Sequence, residues 1–321
     1  MTMLGLKNLK DHIGITDTTV ECPVRECSTR VERQRASFRC QNQFKCPLHN
    51  IYISPTTFEY SSYWANMLWN DKDARELFSN IKKVKRESRM AREKSEDAVT
   101  WNIFRYLEMG GLIESFLSSI AQEKIKSSEL IYWSYNQKEN GAWTLLNKAR
   151  QEFGEEIKRG SEPDIIVKTD KAIFFIEAKL FAGNNIVPSD SANSKKYETG
   201  GSGWFSEVFE SNYQTIAIEE KKYELLRFWL LGTWISKQLG LNFYFVNLVL
   251  RDREIDIENI FGKHIKKLSW CKFIRTTWEN IYQFVLENGS QGPGRGTIID
   301  YCKNKTMGYD QKGEIQKAFS I

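Results

Sequence analysis

The sequence contains no apolar run long enough to cross a bilayer, which takes about 20 residues. Its most apolar helix candidate, LLRFWLLGTWI at 225–235, is much shorter and carries Arg227 inside it. The first residues also lack the basic region, apolar core and small-residue cleavage site of a signal peptide. We therefore expect a soluble, cytoplasmic protein that has no membrane partner.

Histidine is scarce, with three in 321 residues, and two common catalytic motifs are missing. There is no Gly-x-Ser-x-Gly, the strained turn that presents the nucleophile of many serine hydrolases. There is also no Gly-x4-Gly-Lys-Ser/Thr, the loop whose backbone amides hold nucleotide phosphates. These absences argue against a serine hydrolase and against a P-loop protein that translocates by using ATP.

The composition is typical of a globular protein, with 41% hydrophobic and 27% charged residues. The formal net charge of +5 is compatible with a polyanionic partner. Apolar strand candidates alternate with helix candidates, which predicts a mixed α/β fold whose sheet has apolar central strands buried on both faces by helices. The patterns predict helices at 58–69, 96–109 and 212–239 and a loop at 181–204.

One stretch, SEPDIIVKTDKAIFFIEAK at 161–179, ends its apolar runs in charges. The runs IIV and AIFFI, joined by a polar segment, predict a β-hairpin. Side chains alternate along a strand, so Glu177 and Lys179 share one face. With a two-residue turn at 169–170, Asp164 lies diagonal to Glu177, close enough for both carboxylates to bind one cation. The alternative is an ordinary charged pair on an exposed strand end.

This pattern resembles the PD-(D/E)xK nuclease superfamily, whose members share the restriction-endonuclease-like fold. The resemblance rests on Pro163-Asp164 and Glu177-Ala178-Lys179, and on the order helix, hairpin, helix, strand over about residues 95–250. It implies a nuclease domain at 95–321 with a mixed β-sheet flanked by helices. Residues 1–60 would then form a small zinc-ribbon-like module and residues 61–94 a helical basic connector.

The resemblance also implies roles for individual residues. Asp164, Glu177 and the backbone carbonyl of Ala178 are expected to hold a catalytic Mg²⁺ or Mn²⁺ ion, which prefers oxygen ligands. Lys179 would orient or deprotonate the attacking water. Glu96 is expected to add a metal or water contact. The remaining candidates are Asp97 and Glu108 as alternatives to Glu96, and Gln214 as an accessory residue with Tyr213 and Tyr223 beside it.

Basic residues cluster at 80–94, a segment that contains seven basic and two acidic residues. Such a run is either a solvated helix face or, beside a nuclease site, a surface that contacts phosphates. The loop at 181–204 adds two lysines. The candidate nucleic-acid contacts are Lys82, Lys83, Lys85, Arg86, Arg89, Arg92, Lys195 and Lys196.

Four of the six cysteines crowd into residues 22–46, which in a reducing compartment indicates metal binding rather than disulfides. The segments CPVREC and CQNQFKCPLH could each give two ligands to a tetrahedral Zn²⁺ ion, as in a zinc ribbon. The expected ligands are Cys22, Cys27, Cys46 and His49, with Cys40 as the alternative. Reduced cysteines without a metal are the other interpretation.

Together these features predict a metal-dependent DNA endonuclease of the restriction or phage-defence type, with Mg²⁺ or Mn²⁺ catalytic and Zn²⁺ structural. One alternative is a nuclease for RNA or branched DNA. A second is a non-catalytic nucleic-acid-binding protein on a nuclease-like scaffold, and a third is a zinc-ribbon adaptor that binds protein. A homodimer is compatible with the prediction, because a two-fold protein reads a two-fold site.

Overall fold

The computed structural model describes residues 3–35, 37–85, 88–190, 193–289 and 293–321. The strands in these residues are β1 (Thr19–Glu21), β2 (Arg30–Glu32), β3 (Lys45–Cys46), β4 (Ile51–Ser54), β5 (Thr57–Tyr60), β6 (Ser128–Tyr132), β7 (Tyr135–Asn136), β8 (Gly141–Ala142), β9 (Ile165–Thr169), β10 (Ala172–Ala178), β11 (Asn242–Val249), β12 (Cys271–Thr277), β13 (Thr306–Tyr309) and β14 (Ile315–Lys317). The α-helices are α1 (Lys72–Val84), α2 (Glu96–Met109), α3 (Ile113–Ala121), α4 (Thr144–Glu152), α5 (Asn193–Val208), α6 (Tyr223–Leu239), α7 (Ile257–Gly262), α8 (Trp278–Asn288) and α9 (Pro293–Asn304). The predicted mixed α/β fold class is confirmed.

The described chain divides into two units. Unit 1 comprises Met1–Asp71, Ser88–Gly110 and Glu279–Ile321, and unit 2 comprises Lys72–Glu87 and Gly111–Trp278. The predicted regions 1–60, 61–94 and 95–321 do not coincide with these units. Long-range contacts explain the difference, because pairs such as Glu93 and Lys305 join distant parts of the chain inside unit 1.

Unit 2 is built on a sheet of seven described strands in the order β12-β11-β10-β9-β6-β7-β8. Strands β10, β11 and β12 run parallel, and the remaining neighbours are antiparallel. Every residue of β10 is buried, as its apolar run predicts for a central strand. Helices α4, α5 and α6 contribute to a core with the sheet that includes Phe175, Trp229, Phe243 and Phe245.

Unit 1 contains the antiparallel sheet β3-β4-β5 and the strand pairs β1-β2 and β13-β14. One of its cores combines Cys22, Cys27 and Cys46 with apolar side chains such as Phe58. Helix α2 begins as predicted, because the hydroxyl of Ser95 accepts a hydrogen bond from a backbone amide of the first turn at 3.1 Å.

In the described ranges, no helix of either unit combines the length and apolar composition that a bilayer span requires.

Three predicted elements are wrong. The helix predicted at 58–69 is replaced by strand β5 and a short 3₁₀ turn, because Phe58 and Tyr60 are buried as part of an antiparallel hairpin with β4. The loop predicted at 181–204 includes the start of α5, whose helical path is interrupted at 200–203. The helix predicted at 212–239 is divided into a π-helical turn at 214–219 and α6, with Lys221 in a left-handed conformation between them.

Candidate functional site

The β9–β10 hairpin determines which charged side chains meet. Its register pairs Ile176 with Ile165, and one further step along the same register places Asp164 opposite Glu177. The sequence had predicted a diagonal relation between these two carboxylates. Directly opposite residues have Cβ atoms about 5 Å apart, against about 7–8 Å for diagonal ones. The observed register therefore favours a cation shared by the two carboxylates more than the predicted register does.

The turn of this hairpin explains the difference in register. The predicted turn at 169–170 is wrong by one residue, since Asp170 and Lys171 form it. The hydroxyl of Thr169 accepts a hydrogen bond from the amide of Ala172 at 2.8 Å and donates one to its carbonyl at 2.9 Å. Thr169 therefore closes the turn instead of lying at its tip.

Asp164 is held in place by hydrogen bonds from Trp133 and Ala178. Its Oδ1 accepts from the indole Nε1 of Trp133 at 3.0 Å, and its Oδ2 accepts from the amide of Ala178 at 2.9 Å. The Asp164 carbonyl accepts from the amide of Trp133 at 3.1 Å. A carboxylate oxygen has two lone pairs, so both oxygens keep capacity for a cation. The role of the Ala178 carbonyl as a metal ligand stays a prediction.

The ammonium of Lys179 lies between two carboxylates. Its Nζ donates a hydrogen bond to Glu177 Oε1 at 2.6 Å and forms an ion pair with Glu224 Oε2 at 2.7 Å. Glu177 is 5% exposed and Lys179 is 8% exposed, so the alternative of a pair on an exposed strand end is wrong. A buried charge cluster is costly unless its groups satisfy one another or bind a ligand.

The environment of this cluster changes its proton affinities. Burial raises the pKa of Glu177 well above its ordinary value; Lys179 opposes this rise, while Asp164 and Glu224 add to it. Burial by itself lowers the pKa of Lys179, but Glu177, Glu224 and Asp164 together raise it well above its ordinary value. Lys179 is therefore a protonated ammonium at neutral pH.

One oxygen of the cluster is left without a donor. Glu177 Oε2 is buried and accepts no hydrogen bond from the described part of the chain. Leaving a buried acceptor unsatisfied costs about 1–3 kcal/mol, and more for a charged group. Carboxylate oxygens are the ligands that Mg²⁺ and Mn²⁺ prefer. The donor set of Asp164 and Glu177 thus fits a hard divalent cation.

Two residues of this cluster, Trp133 and Glu224, were missed by the sequence analysis. Trp133 stands in ELIYWSYNQ, where the pattern predicts only a strand. Glu224 lies in the first turn of α6, a position where acidic residues are common because they offset the helix dipole. Only the packing of α6 beside β10 distinguishes Glu224 from such a residue.

The predicted zinc ligands meet in unit 1. Within the described ranges, Cys22, Cys27, Cys46 and His49 are the one group of three or more Cys, His, Asp or Glu whose ligand atoms all lie within 4.8 Å of one another. The Cys27 and Cys46 sulfurs are 3.9 Å apart, and His49 Nδ1 is 3.6 Å from the sulfurs of Cys22 and of Cys46. Ligand atoms around tetrahedral zinc are about 3.5–3.8 Å apart.

Each of two loops supplies two of these ligands, as the sequence predicted. Cys22 and Cys27 lie between β1 and β2, and Cys46 and His49 lie between the end of β3 and β4. The alternative ligand Cys40 is exposed, and its thiol donates to Glu59 instead. This Cys₃His cluster could bind a structural metal such as zinc.

The basic residues at the end of α1 have different environments. Lys82 and Lys83 are exposed, as expected for phosphate contacts. Lys85 is not, since its ammonium lies over the Trp133 ring at 4.5 Å from the centroid and 3.8 Å from Glu162. Its nearly buried side chain contradicts the prediction of a phosphate contact. Arg86 lies outside the described residues.

The other basic candidates are spread over both units. Arg89 is exposed in unit 1, whereas Arg92 forms an ion pair with Glu59 at 3.5 Å. In unit 2, Lys195 on α5 is exposed and Lys196 is half-buried, with its ammonium over the Tyr197 ring. The predicted basic connector is therefore not one continuous helix face.

The remaining candidates of the predicted site lie on elements other than the hairpin. Glu96 lies in the first turn of α2 and belongs to unit 1, so its part in the site stays a prediction. Its alternatives Asp97 and Glu108 are also on α2, where Glu108 pairs with Arg105 at 2.6 Å. Gln214 is exposed at the start of the π-helical turn.

The tyrosines proposed to accompany Gln214 belong to a buried network in unit 2. Tyr213 and Tyr223 both pack against Tyr197, whose hydroxyl donates to Glu155 at 2.9 Å. Glu155 also forms an ion pair with Arg227 at 3.1 Å. These contacts show that the two tyrosines are part of the core around α6.

Comparisons of the chain with protein-family models, with curated proteins and with solved structures found no match. The mixed sheet flanked by helices and the N-terminal Cys/His cluster are features of the structure itself. Any function assigned to the chain therefore depends on the geometry of its own residues.

Proposed function

We propose that the protein is a metal-dependent endonuclease with a restriction-endonuclease-like domain, and that it hydrolyses phosphodiester bonds of DNA in restriction or phage defence. The observation that supports this proposal most is the buried cluster at the end of the β9–β10 hairpin. There, Asp164 lies opposite Glu177 and the Lys179 ammonium is 2.6 Å from Glu177. Two acidic groups beside a buried cation suit a reaction in which negative charge develops on phosphate.

Asp164 and Glu177 would hold the catalytic Mg²⁺ or Mn²⁺ ion. Asp164 is fixed by Trp133 and Ala178, and Glu177 Oε2 has no hydrogen-bond donor within the described ranges. A divalent ion bound there would polarise the phosphate and lower the pKa of a bound water.

Lys179 is assigned an electrostatic role. The pKa of its ammonium is raised by the surrounding carboxylates, so it carries a positive charge at neutral pH. It can donate hydrogen bonds to phosphate oxygens or to the attacking water and offset their negative charge.

The Cys₃His cluster is assigned a structural role. It lies among buried side chains of unit 1, where zinc would link two loops that belong to small sheets. The exposed residues Lys82, Lys83, Arg89 and Lys195 remain candidates for phosphate contacts. Such contacts add affinity for DNA without reading its sequence.

A substrate panel tests the proposed activity. Zinc-loaded protein is incubated with plasmid DNA, linear duplex, single strand, branched DNA and RNA, with Mg²⁺, Mn²⁺ or EDTA. We expect cleavage of duplex DNA that requires the divalent ion and is lost in Asp164→Asn. Lys171→Met is the matched control, since Lys171 is in the same hairpin but exposed at its turn.

Each other outcome of the panel has a definite meaning. Cleavage confined to RNA or to branched DNA would replace the proposed substrate by that nucleic acid. Binding of nucleic acid without cleavage of any substrate would contradict the enzyme and support the non-catalytic scaffold. Equal cleavage by wild type and Asp164→Asn would show that another protein or another site is responsible.

A further inference from the structure

The Lys179 ammonium makes different contacts with two glutamates that lie on different elements. It donates a hydrogen bond to Glu177, at the end of β10, whereas its contact with Glu224, in the first turn of α6, is an ion pair of nearly equal length. Glu224 Oε2 is itself buried and accepts no hydrogen bond from the described residues. It can therefore accept one from Lys179 after a small rotation of the ammonium.

The ammonium and a divalent cation would compete for the same carboxylate. Lys179 is bonded to Glu177 Oε1, while Oε2 of that carboxylate is buried and without a donor among the described residues. A cation bound at Glu177 would repel the Lys179 ammonium, because two positive charges within a few ångströms oppose each other strongly in a buried site. Lys179 then needs another anionic partner to stay buried.

We propose that Glu224 is a positioning residue that takes the Lys179 ammonium from Glu177 when a divalent cation binds. The inference rests on the proposed function, because it assigns Glu177 to the metal. Glu224 keeps Lys179 beside the site while both oxygens of Glu177 become available. It acts through Lys179 and not as a ligand of its own.

The charges determine whether each substitution raises or lowers the affinity for a divalent cation. In Glu224→Gln, Lys179 has Glu177 as its main anionic partner and competes more strongly with the cation. We expect divalent-cation affinity to fall about tenfold, because the ammonium then has no second carboxylate to hold it away from Glu177. In Lys179→Met the competitor is absent, so cation affinity should rise. Adding Glu224→Gln to Lys179→Met should change it by less than about threefold, since Glu224 then has no lysine to hold.

Calcium binding to the zinc-loaded protein, measured by isothermal titration calorimetry, tests the inference without relying on activity. Ca²⁺ prefers oxygen ligands and does not compete for the thiolates of the Cys₃His cluster. The proteins compared are wild type, Glu224→Gln, Lys179→Met and their double variant. Glu224→Asp should retain most of the affinity, because it preserves the charge. Glu219→Gln is the matched control, since Glu219 is exposed on the preceding π-helical turn.

The results distinguish this inference from the proposed function. A tenfold loss in Glu224→Gln that disappears in the Lys179→Met background supports the positioning role. Unchanged affinity in Glu224→Gln overturns it, and so does an equal loss in both backgrounds, which would make Glu224 a ligand. If wild type binds no Ca²⁺ and cleaves no substrate with Mg²⁺, the proposed function itself fails. Unfolding curves of all variants show whether each is folded.

Discussion

Each unit buries a glutamate–lysine pair, and the two pairs differ in how their oxygens are satisfied. In unit 1, Glu93 Oε1 accepts hydrogen bonds from Lys305 and Thr306, both at 3.1 Å, and its Oε2 accepts one from Tyr60 at 3.5 Å. In unit 2, Glu177 Oε1 accepts from Lys179 but Oε2 has no donor in the described chain. Burial raises the pKa of both glutamates.

The comparison distinguishes a pair whose carboxylate is fully hydrogen-bonded from a pair whose carboxylate keeps an oxygen available for a ligand. Around Glu93 every carboxylate oxygen has a partner, which is what a buried charge needs in order to stabilise a fold. Glu177 has an unsatisfied oxygen and two further carboxylates, Asp164 and Glu224, that also act on Lys179. Excess buried negative charge is unfavourable for folding and favourable for binding a cation.

The largest expected effect comes from removing a ligand of the Cys₃His cluster in unit 1. We expect unit 1 to need a bound zinc ion in order to fold, whereas unit 2 is expected to need its divalent ion only for catalysis. Purified protein should contain about one equivalent of zinc, and Cys46→Ser should contain none and unfold far more easily. Structural zinc sites provide an apparent binding free energy of about 10–16 kcal/mol. Elemental analysis and thermal unfolding measure both quantities.

Cys40→Ser is the control for this prediction. Cys40 lies outside the cluster and is exposed, so its removal should leave the zinc content and the unfolding temperature unchanged. Zinc-free wild type, or zinc lost equally in both variants, would contradict the assignment of the ligands.

Lys305→Met and Lys179→Met give the next largest effects on stability. Lys305→Met removes the cation of a buried pair, which costs about 3–5 kcal/mol. Lys179→Met also leaves buried negative charge, but there an added cation can replace the ammonium. Urea unfolding with and without Ca²⁺ should therefore show that Ca²⁺ restores Lys179→Met and not Lys305→Met. Recovery of both variants, or of neither, would remove the distinction between the two pairs.

Glu177→Gln should stabilise the protein at neutral pH, by about 0.5–2 kcal/mol, as substitutions at strained functional sites often do. The folded pKa of Glu177 is raised, so its contribution to stability is full below the ordinary value of 4.5 and decreases as the pH rises toward the folded pKa. The gain of the variant should therefore be absent below pH 4.5 and grow above it. A loss of stability at pH 7 would mean that Glu177 is as well satisfied as Glu93.

Lys82→Ala and Lys85→Ala should differ in their smaller effects on DNA binding. A lysine that contacts one phosphate contributes about 0.9 to the slope of log affinity against log salt. Exposed Lys82 is expected to contribute in this way, and Lys85, packed over Trp133, is not. Fluorescence anisotropy at several salt concentrations, with Ca²⁺ in place of Mg²⁺, measures the slopes. An equal decrease in both variants would place Lys85 on the DNA.

Local patterns allowed a good part of the structure to be predicted. The apolar runs of the hairpin identified β9 and β10, and alternation placed Glu177 and Lys179 on one face. The zinc ligands followed from the close spacing of Cys22 with Cys27 and of Cys46 with His49. In each case the signal is a pattern within a short segment of the chain, although the two halves of the zinc cluster come from separate segments.

Features that depend on individual side-chain contacts or on long-range packing could not be predicted in the same way. The hairpin register depended on the side chain of Thr169, whose hydrogen bonds move the turn by one residue. Glu224 reaches Lys179 only because α6 packs beside β10. The unit boundaries depend on contacts such as Glu93 with Lys305, which join distant segments. No periodicity in the sequence records these contacts.

The rate of Mg²⁺-dependent cleavage in Lys179→Met, compared with Lys171→Met, tests the central claim most directly. Both variants remove one ammonium from the same hairpin, but Lys179 is buried beside Glu177 and Lys171 is exposed at the turn. We predict that Lys179→Met loses at least about 100-fold in single-turnover rate, as loss of one electrostatic contact to a transition state does. Lys171→Met should keep the wild-type rate. Equal rates in the two variants would contradict a nuclease site at the end of the β9–β10 hairpin.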